Sequence, residues 1–346
     1  MTDRFADLPD TLYIHNVAWI KWPMLLQCFG RRRLLPLPAA KRLPADACVV
    51  SWGVEPLPMG IAPRWHLRLE DGFLRSVGLG VDLVRPVSWV VDRTGLHFDP
   101  TAPSDLETML RARAFSGEDL YRARQLRERV VAAGLTKYNT VGENWHRPSG
   151  DRPVVLVVGQ VPTDASLRTG GGGITNAELI ERARALRPDA YLVYKVHPDL
   201  LAGLRADAHP VGDRVQCCDE VIGAVDLNAV LRAVDEVHVA ASLTGFEALL
   251  RGVPVVCHGR PFYSGWGLTH DLVTPSDRRG VTLTLDELVA GALLHYPVYL
   301  SRDFNGRIRP EMAIDQLMRW RQRGSGERTW WRPLYRQVLR RVVGVK

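Results

Sequence analysis

Short apolar runs alternate with amphipathic stretches along most of the chain. Segments 48–52, 65–70 and 88–92 are rich in Val, Leu and Trp and read as strands. Helix is predicted from Ser104, where Ser104 and Glu107 have capping-box spacing ahead of Leu106, Met109 and Leu110, and again over 117–133. Segment 141–152 (VGENWHRPSGDR) has Gly, Pro and charges but no period, and reads as a linker. Beyond it lie a continuous apolar strand at 153–160 and a helix at 176–186. A strand at 190–196, a helix at 228–234, a strand at 236–240, a helix at 245–251 and a strand at 254–258 follow. This βαβ repetition predicts an α/β protein with a doubly wound sheet, whose ligands sit beyond the carboxyl ends of the strands. The expected units are 1–140, a linker at 141–152, a second α/β domain at 153–300, and a helical, basic and aromatic segment at 301–346.

Composition narrows the partners. The 346 residues carry 46% hydrophobic and 24% charged residues, which argues against a largely disordered chain. A formal charge of +7 attracts phosphates, anionic sugars or an anionic membrane. That charge is nearly all arginine, 40 Arg against 5 Lys, a bias that a GC-rich genome produces without any functional cause. Basic residues are spread along the chain and no nucleic-acid-binding motif occurs, so no nucleic-acid partner is expected. Five cysteines without a CxxC suggest neither a disulfide framework nor a zinc site. The first ten residues carry acids and no apolar core, and no run of about 18 apolar residues exists. A cytoplasmic protein, or one lying on a membrane surface, is expected.

Four constellations fall at predicted strand ends. Glu70 and Asp71, followed by Gly72, can present one acid to a cleft; the same pair also reads as an acidic turn bridged to Arg68 or Arg75. Gln160 to Ser166, with Asp164 among them, leads into the run Gly170 to Gly173 before a helix. That arrangement suits an anion bound by backbone N–H groups, or is simply a flexible loop. Lys195 and His197 alternate before Pro198, putting two basic groups on one side, as a phosphate requires. Ser242, Thr244 and Gly245 open a helix whose first turn can face a phosphate, with Glu247 placed to hold a ribose diol. Thr244 and Glu247 equally form an ordinary capping box. After the last strand, Tyr263 and Trp266 stand among small residues in a loop that suits stacking on a sugar or base, or a satellite hydrophobic cluster. No Asp-x-Asp occurs, which favours a site that works without a metal or other cofactor.

Taken together, LEDGFLRSVGLG at 69–80, Pro86, VVD at 90–92, PS-x-LE at 103–107, KVHPD at 195–199 and SLTGFEALLRGVPVVCHGRPFYSGWGLT at 242–269 resemble the capsule polysaccharide biosynthesis family of the KpsC and KpsS type. The resemblance implies a GT-B-like fold, two Rossmann-like doubly wound domains facing a cleft, and a retaining β-Kdo transferase that takes Kdo from CMP-Kdo to a glycolipid or Kdo-linker acceptor. It implies that Lys195, His197, Pro198, Ser242, Thr244, Gly245 and Glu247 bind the nucleotide. Asp164 becomes the catalytic carboxylate, with Glu70 or else Asp71 as the acid/base opposite. Gln160, Ser166, Arg75, Tyr263 and Trp266 would shape the donor and acceptor loops. The GGGG run and His258, where Phe looks more usual, depart from the family pattern. The alternatives are a GT-B transferase using another sugar nucleotide and a non-catalytic capsule biosynthesis or export module. The tail, with Trp330, Trp331, Tyr335 and several arginines, suits contact with the inner face of the cytoplasmic membrane, or docking as a helix on the first domain.

Overall fold

The computed structural model describes residues 4–38, 43–78, 84–139, 142–201 and 212–324, so the basic and aromatic tail lies outside the described residues. The first half runs β1 (Thr11–His15), α1 (Trp22–Phe29), β2 (Arg33–Pro36), β3 (Cys48–Trp52), β4 (Trp65–Asp71), β5 (Ser88–Asp92), α2 (Asp105–Ala112) and α3 (Gly117–Ala132). The second runs β6 (Val154–Val158), α4 (Ala165–Gly170), α5 (Asn176–Leu186), β7 (Tyr191–Lys195), α6 (Pro198–Leu201), β8 (Glu220–Ile222), α7 (Leu227–Ala233), β9 (Glu236–Val239), α8 (Leu243–Leu250), β10 (Val255–Cys257) and β11 (His270–Asp271). The described residues end with α9 (Leu285–Val289), a π-helical turn, β12 (Pro297–Leu300), β13 (Arg307–Ile308) and α10 (Pro310–Gly324).

The second sheet has the order β11-β10-β9-β6-β7-β8 with every neighbour parallel. Numbered from its own first strand this is 3-2-1-4-5-6, the doubly wound order, with its switch point between β6 and β9. Its central strand is apolar at every position because both faces are covered. Val154, Leu156 and Val158 point into the core shared with the first half, and Val155 and Val157 into the α5 side.

The first sheet departs from the expected doubly wound form. Its order is β13-β12-β5-β4-β3-β1-β2; β2, β1, β3 and β4 are parallel, but β5, β12 and β13 join antiparallel. Residues between β4 and β5 form no helix among those described, so nothing carries the chain back for a parallel return.

Two expected boundaries also differ. β12 lies at the end of the stretch 153–300 yet pairs with β5 of the first sheet, and α10 packs on α3. Segment 142–152 is no loose connector. Glu143 bridges Val225, Trp145 is buried with its Nε1 donating to Glu220, and Arg147 pairs with Asp235. One core, from Phe73 and Val90 through Leu156 and Val237 to Leu288 and Ile314, joins both sheets.

The Ser104–Glu107 pair is half of the expected capping box. Ser104 accepts from the Glu107 N–H at 3.1 Å, but the Glu107 carboxylate turns away to Arg278 and Arg279, at 2.5 and 3.0 Å. Glu107 and Arg279 are both under a tenth exposed, so this pair ties α2 to the segment before α9 inside the protein. Glu107→Ala strands a buried guanidinium and is expected to lower unfolding stability by about 3–5 kcal/mol. Denaturant unfolding checks this, and a loss below about 1 kcal/mol would mean that the Arg279 charge finds water instead.

Candidate active site

A cleft opens where the carboxyl ends of β4, β6, β7 and β9 converge. It is lined from the first half by Glu70, Asp71 and Lys137, and from the second by Asp164, Lys195 and Glu247, among others. Gln160, Ser166, His197, Ser242 and Thr244 line it as well. The structure therefore brings together most of the residues that the strand-end motifs single out.

The two acids at the end of β4 part ways. The Arg75 Nε donates to Asp71 Oδ2 at 2.5 Å and Nη1 donates to Ser76 Oγ, so Arg75 is a buried brace for the turn and does not line the cleft. The turn reading thus holds for Asp71. Glu70 Oε1 accepts its neighbour's backbone N–H at 2.9 Å. Burial, and then the Asp71 charge, push its carboxyl up to about 7, against the pull of Lys137 and Lys21. Gly72 is required here, because a Cβ would lie 2.2 Å from Ser88 Oγ.

Asp164 is the N-cap residue of α4, but its side chain makes no capping hydrogen bond. Helix capping therefore does not account for this carboxylate. Gln160 stitches the switch point together. Its backbone exchanges two hydrogen bonds with the Asn176 side chain, and its Oε1 accepts from the Ala241 N–H at 2.8 Å. The glycine run stands behind the cleft rather than in it: Gly172 and Gly173, at φ +65° and +78°, make the turn from α4 to α5.

On the nucleotide side, Lys195 is buried, with Nζ 3.4 Å from the Val196 carbonyl. Burial lowers its ammonium and Glu247 resists that shift. His197 Nδ1 accepts from the Asp199 N–H at 3.1 Å, which places the proton of a neutral ring on Nε2. Only the backbone placement of Pro198, at the start of α6, is described. The capping box expected of Thr244 and Glu247 is not formed. Ser242 is the N-cap, accepting from the Thr244 N–H at 3.2 Å, and Glu247 reaches across to accept from the Lys137 N–H at 2.7 Å. Burial raises the Glu247 carboxyl, with Arg251, Lys137 and Lys195 opposing.

Three expected site residues serve the core instead. Tyr263 and Trp266 are fully buried; Tyr263 donates to the Ser242 carbonyl and Trp266 to the Phe262 carbonyl. Gly245 is needed because a Cβ would lie 2.2 Å from Tyr263 Oη, so it lets Tyr263 pack beneath α8. From the same loop, Pro261 and Phe262 do line the cleft. His258 is also internal, hydrogen-bonded to His238 at 3.0 Å.

Sequence reasoning passed over Lys137, Thr136, Tyr138, His97 and Phe262 in the cleft wall. His97 sits among the rings of Phe73, Phe98, Phe262 and Tyr296, and burial drives its imidazole down to about 3, so it is neutral. For Lys137 a signal existed. The chain has 40 Arg and only 5 Lys, so a lysine is rare enough here to stand out. Both Lys137 and Lys195 line this cleft. Among the described residues, no three His, Cys, Asp or Glu side chains cluster as metal ligands.

The cleft thus lies between the two sheets, with Glu70, Asp71 and Lys137 on one wall and Asp164, Lys195, His197 and Glu247 on the other. The chain belongs to the capsule polysaccharide biosynthesis protein family, which it matches over residues 64–141 and 139–299. It is 41% identical over 286 residues to the capsule polysaccharide modification protein LipA of Neisseria meningitidis serogroup B, covering 81% of this chain and 40% of LipA. The lipopolysaccharide-processing protein LpsZ of Rhizobium meliloti is 42% identical over 261 residues, 74% of this chain and 58% of LpsZ. The chain thus spans only about half the length of these relatives. Two solved structures of Thermosulfurimonas dismutans KpsC are similar across 89% of this chain. Its β-Kdo 2,7 transferase superposes with a TM-score of 0.73 at 34% identity over 99% of that structure. Its β-Kdo 2,4 transferase does so with 0.74 at 30% identity over 97%. Among the described residues, no helix is long and apolar enough to cross a membrane.

Proposed function

We propose that the protein transfers Kdo from CMP-Kdo to a Kdo-bearing glycolipid in capsular polysaccharide assembly, with retention of configuration and without a metal. In this reading the two sheets form a GT-B-like pair with the donor on the second, and the enzyme works at the inner face of the cytoplasmic membrane, where a lipid-borne acceptor is presented. The observation that carries it is the meeting of Glu70 and Asp164, from opposite sheets, in one cleft beside Lys195, His197 and the start of α8. The likeness to two β-Kdo transferases supports the donor.

The chemistry follows from the donor. CMP-Kdo carries one phosphodiester and one carboxylate, and its anomeric carbon is fully substituted, so loss of CMP gives an oxocarbenium-like state. Lys195, the His197 Nε2–H and the first N–H groups of α8 receive the phosphate as charge develops on it. An Asp164 oxygen bonds to the anomeric carbon as the bond to CMP breaks, and the electron pair leaves on the phosphate. Glu70 then takes the proton of the acceptor hydroxyl, whose oxygen bonds to the same carbon and expels Asp164. Two displacements retain the β configuration.

The test is incubation with CMP-Kdo, generated in situ, and a synthetic Kdo-terminated glycolipid, reading CMP release and product mass with and without EDTA. A gain of one Kdo unit that persists in EDTA is expected. Loss of transfer in EDTA would overturn metal independence. Absence of CMP binding would overturn the donor and favour another sugar nucleotide, and CMP binding with neither transfer nor donor hydrolysis would favour a non-catalytic capsule module.

A further inference from the structure

Lys137 stands where the two halves meet. Its N–H donates to Glu247 Oε1 on α8 at 2.7 Å, while its carbonyl accepts the N–H groups of Arg75 and Ser76, just past the acid pair, at 3.2 and 3.1 Å. Its ammonium lies 5.2 Å from the centre of the Tyr138 ring. The backbone is thus fastened to both sheets, and a normally mobile side chain starts from a fixed point in the cleft wall. Burial alone would lower this ammonium, but the Tyr138 phenol and the carboxylates of Asp71, Glu70 and Asp164 outweigh that and hold it protonated. The other lysine near the acid pair, Lys21, lies over the Trp52 ring.

Lys195, His197 and α8 already serve a phosphate, so Lys137 is not needed for it. The acids beside Lys137 pose a separate problem. Glu70 and Asp164 flank the reacting carbon in the reading above, and a donor that bears its own carboxylate on that carbon adds a third negative charge within a few ångströms. Like charges at such range raise one another's free energy steeply where water is scarce. A compact ammonium reaching in from the junction answers these charges together. We propose that Lys137 binds the carboxylate on the donor's anomeric carbon and thereby confines the site to keto-acid sugar donors, an inference that rests on the Kdo-transfer reading.

The test uses a methylene-phosphonate analogue of CMP-Kdo, which cannot lose CMP, and its C1-carboxamide, each titrated by calorimetry beside CMP itself. The wild type is expected to bind the acid about 30-fold more tightly than the amide, as for one charged hydrogen bond. Lys137→Met should lose that factor on the acid and leave the amide and CMP within about twofold, which also shows that the variant is folded. Lys137→Gln serves if the Met variant fails to bind CMP, and Lys137→Arg should restore part of the preference. A Lys137→Met or Lys137→Gln protein that keeps the acid-over-amide preference, or a wild type that binds CMP but shows none, would overturn the assignment. A wild type that binds neither CMP nor the analogues would take down the donor reading itself, a result distinct from either.

Discussion

Asp164→Ala is expected to lower the rate of Kdo transfer by about 10⁴-fold or more while CMP affinity stays within about twofold. The carboxylate forms no cap hydrogen bond at the head of α4, so its removal avoids the ~1 kcal/mol that an N-cap Asp ordinarily loses on truncation. Thermal unfolding should therefore show no loss from capping, and a fall in rate with CMP binding intact reports on chemistry. Near-normal turnover in Asp164→Ala would remove it from the mechanism. A fall in CMP affinity parallel to the fall in rate would make it a binding residue instead.

Glu70→Gln is expected to slow transfer by about 10²–10⁴-fold, the usual range for a positioned general base. Its carboxyl is held up to about 7 by burial and by Asp71, with Lys137 and Lys21 opposing. In the wild type, kcat/KM for the acceptor should then fall about tenfold per unit below pH 7 as Glu70 takes up a proton. In Glu70→Gln that acid limb should disappear. Because the second displacement is the one that needs this base, a glycosyl-enzyme should accumulate, seen as one added Kdo on the peptide that contains Asp164. An adduct on any other residue would sink the nucleophile assignment. Stability should move the other way. The folded carboxyl binds its proton more tightly than the unfolded one, at about 7 against an ordinary 4.5, so the wild type loses stability as pH rises between those values. Glu70→Gln should thus be more stable than the wild type at pH 8 and indistinguishable from it below about pH 4.5, by denaturant unfolding at both pH values.

What the sequence disclosed follows from the range over which each feature is encoded. β6 is legible because every residue from Val154 to Val158 is apolar, and the site motifs because they sit at the ends of strands that are themselves legible. The pairing of β12 with β5 is not, since four residues carry no record of a partner two hundred positions away. Glu247 looks like a capping residue from its spacing, and only the fold shows that its partner is the Lys137 backbone. Tyr263 and Trp266 illustrate the ambiguity of aromatics. A ring that would stack on a sugar and a ring that fills a core have the same local signature, and here it is the neighbouring Phe262 that lines the cleft. Lys137 lies in a connection between a helix and the second sheet, away from any strand end, so only the scarcity of lysine marks it.

The late return of the chain to the first sheet has a practical consequence. A fragment ending near residue 140 would keep β5 but lose β12, leaving Ser88, Trp89 and Val90 with one row of backbone groups unpaired. β5 is buried along its whole length in the intact protein and carries only Asp92 as a charge, so it lacks the lysines and prolines with which natural open edges resist self-association. Such a fragment should aggregate. A limited-proteolysis or expression survey that seeks separable halves will instead find one cooperative unit, whose shortest soluble form extends at least through β13.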